Sequence, residues 1–350
     1  MPYLTAPEEL SALLGEGEPA FRAAQLRAWL YETPVLDTAE MTNLPLALRE
    51  RLADELWPFS VQAEQFADQG RTLKWLFRCR DGAAVESVLM GYRTRTTLCI
   101  SSQAGCAMAC SFCATGQFGF ERHLEPGEIV AQIAYASAWL RRHPMPSAPT
   151  RVGNVVFMGM GEPLANYDRV RESIRRLVDV MGMSARSITV STVGVAPAIR
   201  RLATEPWPLR LALSLHAADD ELRDRLVPLN KRYPIDDIVA AADEFRRSKG
   251  RRVSLEWALI AGVNDTPEQA RGLASIAAEL QAHVNIIPLN PTPLSADTPP
   301  DAASVQEFAD AVSRAGANVT VRDTRGRDID AACGQLRARS RSSGAPSTSR

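Results

Sequence analysis

The sequence predicts an α/β protein in which a parallel sheet covered by helices forms an open or partial barrel, preceded by a small helical segment and a β-hairpin. Three observations carry that prediction. Beyond residue 95, short β-branched runs alternate with longer amphipathic stretches, the cadence of strands joined by crossover helices. The first sixty residues lack this cadence and space their apolar side chains helically. Between these regions, two strand-like runs flank Asp81-Gly82, a hairpin turn dipeptide.

Taken in chain order, Phe21, Leu26, Trp29 and Leu30 predict a first helix. Asn43-Leu44-Pro45 followed by Leu46, Leu48 and Leu52 predicts a second, with proline near its first turn. Residues 1–60 hold ten acidic residues against four arginines, which weighs against a simple electrostatic clamp on phosphates. The hairpin is expected over Thr72–Cys79 and Val85–Met90, and a third strand over Thr96–Ser101. Further strands are expected at Val152–Met158, Ser187–Thr192, Arg210–Leu215, Val253–Ile260 and Val284–Pro288, each followed by an amphipathic stretch. The arginine- and serine-rich residues 337–350 read as a disordered basic tail. The expected organisation is a helical domain over 1–70, a hairpin extension over 71–94, a barrel with a terminal cysteine loop over 95–336, and the tail.

Composition sets outer limits. A chain of 350 residues accommodates about two domains and a sizeable core without disulfide staples. With 40 Lys+Arg against 41 Asp+Glu, the net charge of −1 excludes a globally basic coat for nucleic acid. No apolar run approaches the length of a membrane span, and MPYLTAPEEL lacks the features of a signal peptide. The cytoplasm is therefore the expected compartment, where six cysteines are unlike a disulfide framework.

Three of those cysteines fall within eight residues. The string GCAMACSFCATGQFGF places Cys106, Cys110 and Cys113 in a C-x3-C-x2-C arrangement after a predicted strand. Three thiolates on one loop can hold an iron–sulfur cluster and leave one iron open to a small molecule. A structural zinc site needs four closed ligands. Adding Cys99 as the fourth fits no common zinc module, and the nearest downstream histidine is His123.

This loop, with Phe112 before its last cysteine, resembles the signature of the radical S-adenosylmethionine (SAM) superfamily. That resemblance implies a partial (β/α)6 barrel and a [4Fe-4S] cluster held by Cys106, Cys110 and Cys113, with SAM on the open iron and Phe112 near its adenine. The segments MTNLP (Met41–Pro45), KWLF (Lys74–Phe77), VESVLM (Val85–Met90), TLCISSQAGC (Thr97–Cys106) and VVFMGMGEPLANYD (Val155–Asp168) resemble the RlmN family more narrowly. ITVSTVG (Ile188–Gly194), LALSLHA (Leu211–Ala217), LVPLNKRYP (Leu226–Pro234), IIPLNP (Ile286–Pro291) and RGRDIDAACGQL (Arg325–Leu336) extend the match, in order, from about Phe21 to Leu336.

The resemblance implies methylation of adenosine carbon 2 in 23S rRNA and in tRNA, 3′ to the anticodon. Carbon 2 is electron-poor and cannot attack a SAM methyl group, whereas a carbon radical can add to it. By resemblance, Cys333 accepts a methyl group from one SAM, Glu86 accepts the carbon-2 proton, and Cys99 resolves the adduct as a Cys99–Cys333 disulfide forms. Gly161, Glu162, Ser191, Ser214, Leu215, His216 and Asn290 correspond to SAM contacts. A flavodoxin or ferredoxin is the implied electron donor, and a monomer without membrane association the implied state.

Taken singly, Glu86 reads as an exposed strand carboxylate, Cys99 as a small buried strand residue and Cys333 as a loop thiol. His216 reads as a packed core histidine. Their joint presence at matching positions reverses the first three readings, while Cys79 remains an ordinary hairpin residue. Two rivals remain: a Cfr-like enzyme methylating carbon 8, and a non-catalytic RNA-binding protein with a structural metal.

Overall fold

A computed structural model describes residues 1–15, 17–292, 295–322 and Ile329. Helix α1 spans Phe21–Arg27 and passes into a π-helical turn at Ala28–Glu32. Helix α2 spans Leu46–Ala53, with Pro45 immediately before its first residue. Strand β1, Phe59–Ala67, departs from expectation. It occupies part of the segment expected to be helical, and alternates half-buried with exposed side chains between its two buried ends, as an edge strand should. It pairs antiparallel with β2, Thr72–Cys79, which pairs antiparallel with β3, Ala84–Tyr92. The hairpin is thus one half of a wider antiparallel extension that ends on β4, Arg95–Cys99.

A small antiparallel ribbon, β5 (Gln103–Gly105) and β6 (Phe120–His123), brackets the cysteine loop and the short helix α3, Ala114–Gln117. Helix α4, Pro126–Arg142, starts on a reciprocal cap between Glu125 and Glu128 with proline at its first position. The barrel then proceeds through β7 (Asn154–Phe157), α5 (Tyr167–Arg175), β8 (Ile188–Thr192), α6 (Ala196–Thr204) and β9 (Arg210–Ser214). It continues with α7 (Asp220–Leu226), α8 (Ile235–Lys249), β10 (Ser254–Leu259), α9 (Pro267–Glu279), β11 (His283–Pro288), α10 (Ala302–Arg314) and β12 (Asn318–Val321).

All strands except the ribbon form one ten-stranded sheet in the order β1-β2-β3-β4-β7-β8-β9-β10-β11-β12. From β4 onward every neighbouring pair is parallel. The six parallel strands expected from the sequence are present in chain order, and β12 adds a seventh. This is a partial radical SAM-type barrel carrying an antiparallel wing.

Helix α4 covers the wing through an aromatic cluster in which Tyr135 meets Phe77 edge-on, with ring centres 5.4 Å apart, and Trp139 meets Trp75 likewise at 5.6 Å. The amino terminus is sewn to the turn after α1 and to the turn after α5. Tyr3 donates its hydroxyl to the Leu30 carbonyl, and its own carbonyl accepts from buried Arg176. Among the described residues no helix is long and apolar enough to cross a membrane.

Candidate active site

The barrel encloses a cavity of about 1100 Å³ that runs from one end of the parallel strands to the other. Strand alternation determines its lining. Arg95, Thr97 and Cys99 face it from β4; Ser254, Glu256 and Ala258 from β10; and His283, Asn285 and Ile287 from β11. Strand β3 adds Glu86, Val88, Met90 and Tyr92. Because the barrel strands are parallel, Cys99, Met158, Ala258 and Asn290 lie toward their carboxyl end, joined there by Phe112 and Cys113 of the cysteine loop. Catalytic groups of α/β barrels gather at this end.

The cysteine loop is anchored by the Cys106 amide donating to the Gly119 carbonyl at 3.0 Å and the Cys113 amide donating to the Cys110 carbonyl at 3.2 Å. Cys110 sits in an apolar cluster with Ala217, Leu226, Val227, Ile260 and Leu289, against which Phe112 and Cys113 pack. Burial pushes the Cys106 thiol up to about 12 and the Cys110 thiol well above its ordinary range, and the neighbouring Cys113 adds to both shifts. Three thiols on one loop, two of them buried, match the donor chemistry of an iron–sulfur cluster, whose binding must displace their protons. Among the described residues, no three potential ligands already stand at metal-holding distances.

The GMGEP segment, Gly159–Pro163, closes against this loop. Gly161 has φ +99°, and an added Cβ would lie 2.5 Å from Gln103 Cβ, so the turn requires glycine. Gln103 Oε1 accepts from the Glu162 amide at 2.8 Å. The Glu162 carboxylate accepts from the amides of Leu164 and Val193, both at 2.9 Å, which ties the strand-end loops of β7 and β8 together. Burial pushes its carboxyl up to about 7, and those two amides oppose the rise.

Ser191 and Ser214 place their hydroxyls 3.4 Å apart on β8 and β9. Leu215 is buried and donates its amide to the Glu256 carbonyl. His216, at φ +63°, accepts at Nδ1 from the Ala258 amide at 3.0 Å and packs edge-on against Phe112. Burial, helped by the Arg223 guanidinium, pushes the His216 imidazole down to about 3 and keeps it neutral. Arg223 itself is fully buried and donates to the carbonyls of Val193, Ser214 and Leu215, fixing the ends of β8 and β9. Its role in shaping the site leaves no mark in residue spacing, because its acceptors at those strand ends are backbone atoms; its one side-chain acceptor is Asn230 Oδ1.

Glu86 is buried rather than exposed, and the ammonium of fully buried Lys74 lies 3.3 Å from its carboxylate. Sequence reasoning passed over Lys74 although a signal was available: in each strand of the hairpin a charged residue interrupts an apolar run. Ser101 donates to the Glu86 backbone carbonyl at 2.6 Å. Cys99 is a partly buried free thiol. Burial pushes it up to about 12, against the opposing effects of the Met158 backbone and the Arg322 guanidinium. Arg322 also lies 3.7 Å from Glu256, whose other oxygen accepts from Asn285 at 2.9 Å and Ser254 at 3.1 Å.

Of the residues singled out in the sequence, Glu86, Cys99, Phe112, Cys113 and Asn290 line the cavity together. Cys106, Cys110, Gly161, Glu162, Ser191, Ser214, Leu215 and His216 are not part of that lining. Cys333 and the tail 337–350 lie outside the described residues. The expected disulfide finds no support among the described residues: the five described cysteines are free thiols, and burial favours the protonated form of Cys99 over the thiolate that exchange requires.

A model of the radical SAM superfamily matches residues 100–274, and a model of the ribosomal RNA large subunit methyltransferase N-terminal domain matches residues 7–57. A probable dual-specificity RNA methyltransferase RlmN from Salinispora tropica is 53% identical over 329 residues, covering 92% of this chain and 88% of that protein. Its counterpart from Streptomyces griseus is 49% identical over 344 residues, covering 97% and 94%. The crystal structure of a radical SAM methyltransferase from Sphaerobacter thermophilus superposes with a TM-score of 0.87 at 44% identity, over 96% of this chain and 97% of that one.

Proposed function

This chain belongs to the RlmN family of radical SAM methyltransferases, and from that premise we propose that it methylates carbon 2 of adenosine in both 23S rRNA and tRNA. The observation that carries the proposal is the meeting of Glu86, Cys99, Phe112 and Cys113 on one barrel cavity, from three separate segments of the chain. Superfamily membership implies an iron–sulfur cluster and SAM. In this chain Cys106, Cys110 and Cys113 would hold the cluster. Gly161, Glu162, Ser191, Ser214, Leu215, His216 and Asn290 would shape the SAM site, with Phe112 beside the adenine. When bound, this pair supplies the 5′-deoxyadenosyl radical, generated by one electron from a flavodoxin- or ferredoxin-like donor.

The protein's own groups account for the remaining work. The Cys333 thiolate carries the methyl group, and its methylene form adds to carbon 2. Glu86, positioned by Lys74, accepts the proton that carbon 2 gives up as the adduct also loses one electron, for which the cluster that Cys106, Cys110 and Cys113 would hold is the available acceptor. Cys99, losing its thiol proton as it attacks, forms a sulfur–sulfur bond with Cys333; the carbon–sulfur bond to RNA breaks, and the released carbon takes that bond's electron pair and a proton to become the methyl group. The apolar wall around Cys110 excludes water from radical chemistry. The amino-terminal segment over 1–70, helical before strand β1, is assigned to RNA handling, the hairpin over 71–94 to extending the sheet, and 95–336 to catalysis, in a cytoplasmic monomer.

Anaerobically reconstituted protein, SAM, a reductant and each RNA are the test, with nucleosides resolved by mass spectrometry. The expected product is 2-methyladenosine from both RNAs. Exclusive 8-methyladenosine would instead assign the Cfr-like reaction, and colourless zinc protein without SAM turnover would reject radical chemistry. Alanine at Cys106, Cys110 or Cys113 should each abolish iron binding. Cys333→Ala should abolish transfer, and Cys99→Ala should accumulate an enzyme–RNA adduct.

A further inference from the structure

The end of the cavity opposite the cysteine loop has a chemistry of its own. Arg95 and Arg210 are the first residues of β4 and β9, and Arg251 and Arg252 precede β10, with Val253 between. Parallel pairing brings these strand starts to one end of the barrel, where all four arginines line the cavity mouth. Only two carboxylates line the cavity among the described residues, Glu86 and Glu256. Both lie further in: Glu86 is engaged by Lys74, and Glu256 by Asn285 and Ser254.

Elsewhere many arginines are paired, and those that are not lie singly rather than around a cavity mouth. Arg122, Arg171, Arg175, Arg200, Arg201 and Arg271 each stand against a carboxylate. Among the described residues, no ion pair involves Arg95, Arg210, Arg251 or Arg252. Arg95 instead lies over the Tyr92 ring at 4.5 Å, a cation–aromatic shelf at the same mouth. Four guanidinium groups without carboxylate partners among the described residues, converging from three distant segments on one opening, attract a polyanion. Guanidinium forks match phosphate oxygens in geometry as well as charge.

We propose that this arginine-ringed mouth is the RNA dock: phosphates of the substrate backbone bind Arg95, Arg210, Arg251 and Arg252, and the target nucleotide enters the barrel from this end. The cysteine loop, with Phe112, Cys113 and Ala114, lines the opposite end. RNA and cofactor thereby approach the lumen from opposite sides. From Arg95 to Cys99 the strand rises about 13 Å, so a nucleotide flipped out of its stack presents its base to the lumen while its phosphate stays at the rim. The inference rests on the proposed RNA methylation, but RNA binding reports on it independently of product.

The experiment measures RNA affinity of the reconstituted full-length protein across a salt series, by fluorescence anisotropy with a tRNA anticodon stem–loop. Arg210→Glu and the pair Arg251→Glu/Arg252→Glu should weaken binding about tenfold or more. They should also reduce the slope of log affinity against log salt by about 0.7–0.9 for each phosphate no longer neutralised. Iron content and circular dichroism identify folded variants, and Arg→Gln replacements at the same positions serve where reversal fails to fold. Arg271→Glu, on a remote paired arginine, is the charge control. Wild-type affinity and salt slope in the rim variants, or losses no larger than that control's, overturn the proposal. Normal 2-methyladenosine formation alongside unchanged binding would reject the dock alone, whereas intact binding without product from wild-type protein would reject the methylation reading.

Discussion

The ion pair between Lys74 and Glu86 offers a quantitative test of how the site is built. Lys74 is fully buried and Glu86 is 3% exposed, with 3.3 Å between the ammonium and the carboxylate. Two charges this deep exchange a large desolvation cost for mutual attraction, so the pair adds little net stability. Removing one partner is different, because the other stays buried without that opposite charge. Lys74→Met and Glu86→Gln should each cost about 3–5 kcal/mol, whereas the double variant should recover most of that loss. For a chain of this size, each single replacement should lower Tm by at least about 6 °C, taking about 2 °C per kcal/mol. Differential scanning calorimetry of all four proteins closes the cycle. The exposed pair Arg271–Glu268, with both side chains about two-thirds exposed, is the reference; breaking it should leave Tm nearly unchanged. Single replacements that cost no more than this reference, or a double variant with the summed loss of the singles, would show that the two charges do not depend on each other. Methylation assays add a second readout: Glu86→Gln should be inactive even where the double variant is stable.

Three further outcomes are expected. His216 is held neutral, with its folded value pushed down to about 3, so its contribution to stability is intact above pH 6.5 and lost as pH falls toward 3. Replacing it with asparagine should flatten the acid side of a Tm-against-pH curve, and an unchanged slope would contradict this. The Cys99 thiol, pushed up to about 12, should be alkylated by iodoacetamide at a rate that rises about tenfold per pH unit through pH 9; mass spectrometry showing a plateau near pH 8 would disprove it. Gly127 lies where an added Cβ would sit 2.0 Å from the Tyr3 carbonyl oxygen, so Gly127→Ala should push the amino-terminal segment off α4. Hydrogen exchange should then accelerate over residues 1–15, and unchanged protection there would count against so tight a packing.

The barrel strands were legible in the sequence because parallel strands buried on both faces read as dense apolar runs between helices. Strand β1 was not: FSVQAEQFA carries polar residues on its outer face, and its pairing with β2 supplies what its composition lacks. Strand β12 is only four residues long and gains its place by pairing with β11. The identity of Glu86 as a candidate base was legible by family resemblance. Its burial against Lys74 was decided by the hairpin register, which sets Leu76 opposite Glu86 and brings the nearby ammonium within reach.

The cysteine loop, the barrel cadence and the family could all be read from the chain alone, since each is written in spacing between residues close in sequence. Tertiary structure was needed to show that Glu86 and Cys99 share a cavity with Phe112 and Cys113, and that the cavity runs through to a second mouth. Folding also gathers Arg95, Arg210, Arg251 and Arg252 around that mouth. Their positions in the chain span more than 150 residues, and the net charge of −1 hides them. The physical reason is the parallel sheet, which aligns strand starts with one another whatever their separation in sequence.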